Sequence, residues 1–428
     1  MSVQELRARI TKLDTEIDLQ KEVLRKLERD KSLVQRQLNA VFDPIARLSL
    51  EICSEIFRQC LRGPIAQPGA DAAPVQLLTV CNTWTDIALS TPDLWVGIEI
   101  QIPCTEGMKQ LLPIWFQRAR NRPVSVLLHG DFSDWDDSES AAVIWQHGVQ
   151  LKRLKTSYNY LVDDDWNYYA RHIHLFGGAA PEPLSSLEHL EIDCSLEDGG
   201  YLADDILELL RLAPNIVECV LGCLSIGHMS DAKPVVHTSL RRLTFGTPSE
   251  RPDSNDCILN KLSLPALEAL SLPRHFISDD DLLRFLKRSA PPLQEMTMKW
   301  GPGTIDPTHL RECVHLIPSL ARFEIWGPHA EALADLFATL ADCPSLLPNL
   351  DRLTIHNMPY GSRVLSNSAW KFLLRAVSAR RIQLHLLGSF LQPPPTDILA
   401  ALRELVGDGV EILISGPKDR DLISESPS

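Results

Sequence analysis

From Leu6 to Val41 the apolar residues Leu6, Ile10, Leu13, Ile17, Leu24, Leu27, Val34, Leu38 and Val41 recur in alternating steps of four and three. Gln20 and Lys31 fill the two remaining positions of the same stripe. Such steps hold a narrow stripe on one side of a helix, so the pattern predicts one uninterrupted helix over about residues 5 to 41, ~55 Å long at 1.5 Å per residue. A stripe that narrow needs a partner, which is either a second copy of the chain or another part of the same chain.

Phe42-Asp43-Pro44 ends that pattern, because proline removes a backbone donor and disfavours helix in the residue before it. Apolar positions 48, 52, 56, 57 and 61 then share a helical face. Gly63, Pro64, Pro68, Gly69 and Pro74 punctuate a loop, and residues 77 to 89 (Leu77 to Leu89, with Leu78, Val80, Cys81 and Trp84) predict one further short amphipathic helix. Thr91-Pro92-Asp93-Leu94-Trp95 closes this unit.

Beyond Trp95 the pattern changes to L-x-x-L-x-L. Copies begin at Leu187, Ile216, Leu240, Leu267, Leu293, Leu320 and Leu350, at intervals of 29, 24, 27, 26, 27 and 30 residues, the period of leucine-rich repeats. Degenerate copies are Trp95/Ile98/Ile100, Leu151/Leu154, Ile382/Leu384 and Ile412/Ile414. Between them lie helical stretches at 202 to 212, 279 to 289, 330 to 340 and 368 to 377. Asp279-Asp280-Asp281 suits a helix start, where carboxylates meet free amides. The expected fold is therefore α/β: a leucine-rich-repeat-like solenoid of parallel strands with outer helices over 96–416, after a small all-α module (43–95) and a long helix (1–42). The polar tail 417–428 is expected to be disordered.

The run Leu48-Ser49-Leu50-Glu51-Ile52, then Ile56-Phe57, Val80-Cys81, Trp84, Ile87-Ala88 and Thr91 to Trp95, resembles the F-box of mushroom-type fungal proteins. The resemblance implies docking to a Skp-type adaptor, and through it to a cullin, by Leu48, Ser49, Ile52, Ile56, Leu78, Val80, Cys81 and Trp84. It also implies a protein substrate held by the repeats, with ubiquitin transfer left to other subunits. Ser49 replaces a usual proline, where it can cap the helix, and Asn82, Thr83 and Thr85 replace residues that are often basic around the tryptophan. Two alternatives stand beside this reading: residues 44 to 95 as a plain helical cap on the repeats, and a non-ligase scaffold using the heptad helix and the solenoid.

Composition narrows the partners. The 428 residues carry a formal net charge of -14, which argues against nucleic acid, since phosphate contact needs clustered Lys and Arg. No apolar run approaches the ~20 residues of a membrane span. The opening residues lack the apolar stretch of a secretory signal, so the expected location is cytoplasmic or nuclear. Ten cysteines without a CxxC pair fit buried reduced thiols. Phosphate-binding loops, HExxH, a serine nucleophile elbow and zinc spacings are absent, so neither enzyme chemistry nor a cofactor is expected. Two weaker constellations remain. His172 and His174 near Asp163-Asp164-Asp165 offer metal ligands, or else form a solvated loop beside a helix end. Cys219-x3-Cys223 has no second ligand pair and reads as packing.

Because strand side chains alternate, positions two, four and six after the first leucine line one concave face. They read Glu295/Thr297/Lys299, Arg322/Glu324/Trp326, Arg352/Thr354/His356 and Arg381/Gln383/His385. Neighbouring parallel strands ~4.8 Å apart would stack Arg322, Arg352 and Arg381 as one column of like charge. An acidic partner segment, anchored on Trp326 and flanked by His356, would relieve it. The alternative is that Glu324 and Asp351 already screen the arginines.

Overall fold

The computed structural model describes residues 3–42, 45–61, 74–132, 135, 139–158, 171–194, 199–222, 224–225, 233–245, 258–272, 279–299, 307–328, 330–356, 365–387, 394–415 and 423. Two compact units divide the chain: residues 1–100 with 110–126, and residues 101–109 with 127–428. The long helix and the helical module belong to the first. Most of the expected tail lies outside the described residues. No helix among the described residues is long and apolar enough to cross a membrane.

The heptad stretch forms a single helix, α1 (Val3–Phe42). After a short turn at Ile45–Arg47 come α2 (Leu50–Gln59), α3 (Leu77–Val80) and α4 (Asn82–Ser90). The single helix expected over 77 to 89 is thus two. Cys81 between them is extended (φ -162°, ψ 166°). The Thr85 hydroxyl spans the break, within 2.8 Å of the Leu78 carbonyl, which a continuous helix would bond through its backbone, and 3.0 Å of the Cys81 carbonyl, which also accepts the Thr85 amide at 2.9 Å.

The module's core follows from spacing. Cys53 and Phe57, four apart, are buried on one side of α2, and Trp84 of α4 lies 5.0 Å from Phe57, ring to ring. Thr91 donates its hydroxyl proton to the Ile87 carbonyl at 2.7 Å, so Ser54 is the donor in the 2.8 Å bond between the Ser54 and Thr91 hydroxyls. Trp95 is fully buried, donates its indole N–H to the Ala88 carbonyl at 3.1 Å, and packs edge-on against Trp115.

Twelve strands then form one sheet in chain order: β1 (Gly97–Ile102), β2 (Val124–Gly130), β3 (Leu151–Tyr158), β4 (His189–Cys194), β5 (Glu218–Leu221), β6 (Arg242–Phe245), β7 (Ala269–Leu272), β8 (Glu295–Lys299), β9 (Arg322–Trp326), β10 (Arg352–His356), β11 (Gln383–Leu387) and β12 (Ile412–Ile414). The sheet is parallel throughout, a leucine-rich-repeat-like α/β solenoid. Alternating with the strands are α5 (Glu106–Ala119), α6 (Glu139–Gln146), α7 (Ala203–Leu212), α8 (Asp279–Ser289), α9 (Pro307–His315), α10 (Ala330–Asp342), α11 (Asn367–Arg380) and α12 (Thr396–Gly407).

Register makes the core. Leu190, Cys219, Leu243, Leu270, Met296, Phe323, Leu353, Leu384 and Ile412 stand side by side across successive strands, all buried. Burying each leucine-sized member contributes ~1.5–3 kcal/mol. Polar ties repeat with the same period. Asn215 and Asn349 donate to carbonyls of Ser185 and Pro318, one repeat earlier, at 2.8 and 3.2 Å, and Ser319 does so to Leu293 at 2.9 Å. Buried His237 accepts the Leu240 amide at Nδ1 (3.1 Å) and faces the Ala213 carbonyl with Nε2 (2.9 Å), which assigns the proton to Nε2.

Candidate functional site

Two surfaces hold the residues singled out above. On the helical module, Ile52 and Ile56 sit one residue before Cys53 and Phe57, about 100° around α2, and so face water while their neighbours face the core. Leu48 continues the stripe one turn earlier, and Val80 of α3 is a further exposed apolar side chain of the module. Their exposures run from 37% at Ile56 to 55% at Val80. Leu78, Cys81 and Trp84 are half-buried and belong to the module's interior edge.

Ser49 occupies the position before α2 in extended conformation, but its side chain does not cap the helix as expected. It bonds instead to Glu51, and that bond is the first cause holding the Glu51 carboxyl below its ordinary range. Asn82, one of the departures from the family pattern, donates to the Ser32 hydroxyl of α1 at 3.0 Å. Asp86 approaches Arg36 at 3.9 Å.

The second surface is the half-exposed face of the strands. Its first row runs Arg153, His189, Glu218, Arg242, Ala269, Glu295, Arg322, Arg352 and Gln383. Arg381 is therefore not in the arginine column. It ends α11 in the left-handed conformation (φ 55°), two residues short of the row, and bonds the Asp408 carbonyl at 3.4 Å. The degenerate copy Ile382/Leu384 is two residues out of frame: Leu384 pairs with Leu353, and Leu386 with Ile355.

The two remaining arginines both have partners, although only that of Arg322 is charged. Arg322 pairs with Glu295, and Arg352 donates from Nε to the Gln383 side-chain oxygen at 2.9 Å. Arg242 lies 3.9 Å from Glu218 and reaches past Ala269 to Glu295 at 3.7 Å. Farther along, His189 meets Glu218 at 3.3 Å and Lys155 meets Glu191 at 2.7 Å. Much of the face is a ladder of opposite charges in which Glu295 pairs with Arg322 and Arg242, while the uncharged Gln383 amide gives Arg352 a hydrogen-bond acceptor and Glu324 engages Trp326 and His356.

Glu324 serves the third row, where Lys299, Trp326, His356 and Leu387 are neighbours. The Trp326 and His356 rings stack with centroids 3.7 Å apart and planes 5° from parallel. One oxygen of Glu324 accepts the Trp326 indole N–H at 2.8 Å and faces His356 Nε2 at 2.9 Å. Partial burial pushes the His356 pKa below its ordinary value, opposed by the Glu324 charge. Trp326 is thus seated against its own chain. His385, one row in, faces Glu411 at 2.9 Å.

The weaker constellations resolve simply. The backbone of His172 lies in a short strand, Arg171–Ile173, not at a helix end, and exposed His174 stands 3.6 Å from Asp205. Asp163, Asp164, Asp165 and Cys223 lie outside the described residues. Among the described residues no group of three His, Cys, Asp or Glu side chains is placed to hold a metal. Cys219 is fully buried, and burial pushes its thiol up to about 12, so it stays protonated as a packing residue.

Sequence reasoning missed Glu295 as the ion-pair partner of Arg322 and Gln383 as the acceptor for Arg352. The signal was present: the repeat offset that aligns Arg322 with Arg352 also sets Glu295 beside Arg322. No protein-family model matches the chain, and no curated protein matches it. Among solved structures it is similar to a Bacteroides fragilis protein from a structural genomics programme, at 12% identity and a TM-score of 0.34, over 78% of this chain and 75% of that one. A likeness that distant adds nothing to the strand pairings, and on those pairings the chain is a parallel-strand α/β repeat protein.

Proposed function

We propose that the chain is a substrate-recognition adaptor of a Skp-cullin-F-box type ubiquitin ligase, with residues 43–95 docking the Skp-type adaptor and the repeats presenting a protein substrate. The observation that carries this reading is the apolar stripe Leu48, Ile52 and Ile56, left in water by a helix whose other side is packed, together with exposed Val80 on α3. Covering a side chain of that size contributes ~1.5–3 kcal/mol, and the centre of a protein interface is built from such area. For the substrate, Arg322, Arg352, Trp326 and His356 suit an acidic segment that competes with Glu295 and Glu324. Such a complex belongs in the cytoplasm or nucleus.

The test is copurification of a Skp-type adaptor with the full chain and with the double variant Ile52→Asp, Ile56→Asp. Capture by the first and loss with the second is expected; equal recovery from both rejects the docking surface. A chain that captures no adaptor yet self-associates would be the scaffold instead, a reading favoured by the uncovered apolar stripe of α1.

A further inference from the structure

The whole apolar stripe of α1 is exposed, from 42% at Leu6 to 65% at Val34. What its own chain covers is a different side. The contacts to α4 are made by Ser32 and Arg36, which lie about 130° and 170° around the helix from the middle of the stripe. Intramolecular packing therefore leaves the stripe open along its full length.

Charges beside the stripe say what fits it. With Ile10, Ile17, Leu24, Lys31 and Leu38 at the first heptad position, Leu6, Leu13, Gln20, Leu27, Val34 and Val41 occupy the fourth. A parallel pair then sets Arg9 of one copy against Asp14 of the other and Glu16 against Lys21, each twice. The next flanking pairs, Val23 with Glu28 and Asp30 with Gln35, bring no like charges together. The antiparallel register that keeps the apolar layers matched has one kind of opposite-charge contact, Lys21 with Glu28. In the first half, Ile10 and Ile17 at the first position with Leu6 and Leu13 at the fourth favour two parallel strands. The second half carries Leu24 and Leu38 at the first position and Val34 and Val41 at the fourth, and there Lys31, the lone lysine at the first position, sets register while its stem reaches out to water.

We propose that α1 pairs with α1 of a second copy of this chain as a parallel two-stranded coiled coil, registered by Gln20 and Lys31 and steered by the Arg9–Asp14 and Glu16–Lys21 contacts. Because α4 sits on the opposite side of α1, each dimer carries two outward docking modules and two repeat faces. A partner with two epitopes is then held by avidity. The proposal stands whether or not the module takes the partner proposed above.

Sedimentation of the full chain at micromolar concentration tests it, with twice the 47.9 kDa monomer mass expected. Ile17→Asp should yield monomer. Glu16→Lys sets like charges together twice per dimer and should weaken association by roughly five- to thirty-fold, while adding Lys21→Glu restores it to within about threefold. That rescue separates pairing from misfolding. Ile10→Cys should crosslink to the same position of the partner. A monomeric or trimeric unmodified chain, no rescue by the double reversal, or a crosslink from Ile10→Cys to Val41→Cys in place of the symmetric one overturns the proposal.

Discussion

Around α2 and α3, apolar side chains stand in water while residues one position away are locked in a core. On the strand face of the repeats, charged side chains stand in water, but Lys155, Arg242 and Arg322 each have a carboxylate within reach. The first surface gains free energy from any partner of matching shape, since burying apolar area needs no exact alignment. The second gains little from a partner unless each broken contact is replaced, because paired charges must be desolvated before they are re-paired. In the proposed complex, affinity would therefore be concentrated on the helical side, and the repeats would supply discrimination among partners.

Adjacent residues of α2 give the largest effect that can break this comparison. Phe57→Ala should cost ~3–5 kcal/mol in denaturant unfolding of the helical module, whereas Ile56→Asp should change stability by less than ~0.5 kcal/mol and yet abolish adaptor capture. Similar stability losses for the two would mean that Ile56 is core. In the repeats the next largest effect belongs to His237→Ala, which leaves the Ala213 carbonyl and Leu240 amide unsatisfied and should lower unfolding free energy by ~1–3 kcal/mol.

Glu295→Gln acts on the exposed ladder and should shift stability by less than ~1 kcal/mol. By freeing Arg322 it should raise retention of an acidic peptide, measured by fluorescence anisotropy; unchanged retention would make the ladder a solvated surface only. The smallest effect is pH-dependent. The folded pKa of His356 lies below its ordinary 6.5, first because of burial, so folding favours the neutral ring. Its contribution is complete above about pH 6.5 and is lost as pH falls through the lower folded value. His356→Gln should flatten that part of the stability profile between pH 7 and 5 in thermal melts.

Much of this architecture was legible before any coordinates. The heptad run predicted α1 nearly to the residue, and the leucine period located every strand from β4 to β10. Three of the four helices that escaped notice share a cause: α5 contains Pro113, α9 opens on Pro307 and α12 follows Pro393-Pro394-Pro395, whereas α6 is a short helix of eight residues without a proline. Proline signals a break when read alone, although at a first turn its fixed φ favours helix. The Cys81 break was hidden for the opposite reason, as nothing in the composition of 77 to 89 interrupts a helical face.

Periodicity alone determined the succession of strands from β4 to β10, the buried columns and the existence of an apolar stripe on α1, because each depends only on the angle between successive side chains. Tertiary structure alone decided that Arg381 leaves its row, that Trp326 is seated on His356, and that α4 takes the far side of α1. Those outcomes turn on which polar partner a distant part of the chain brings within about 3 Å, and local spacing carries no record of that distance.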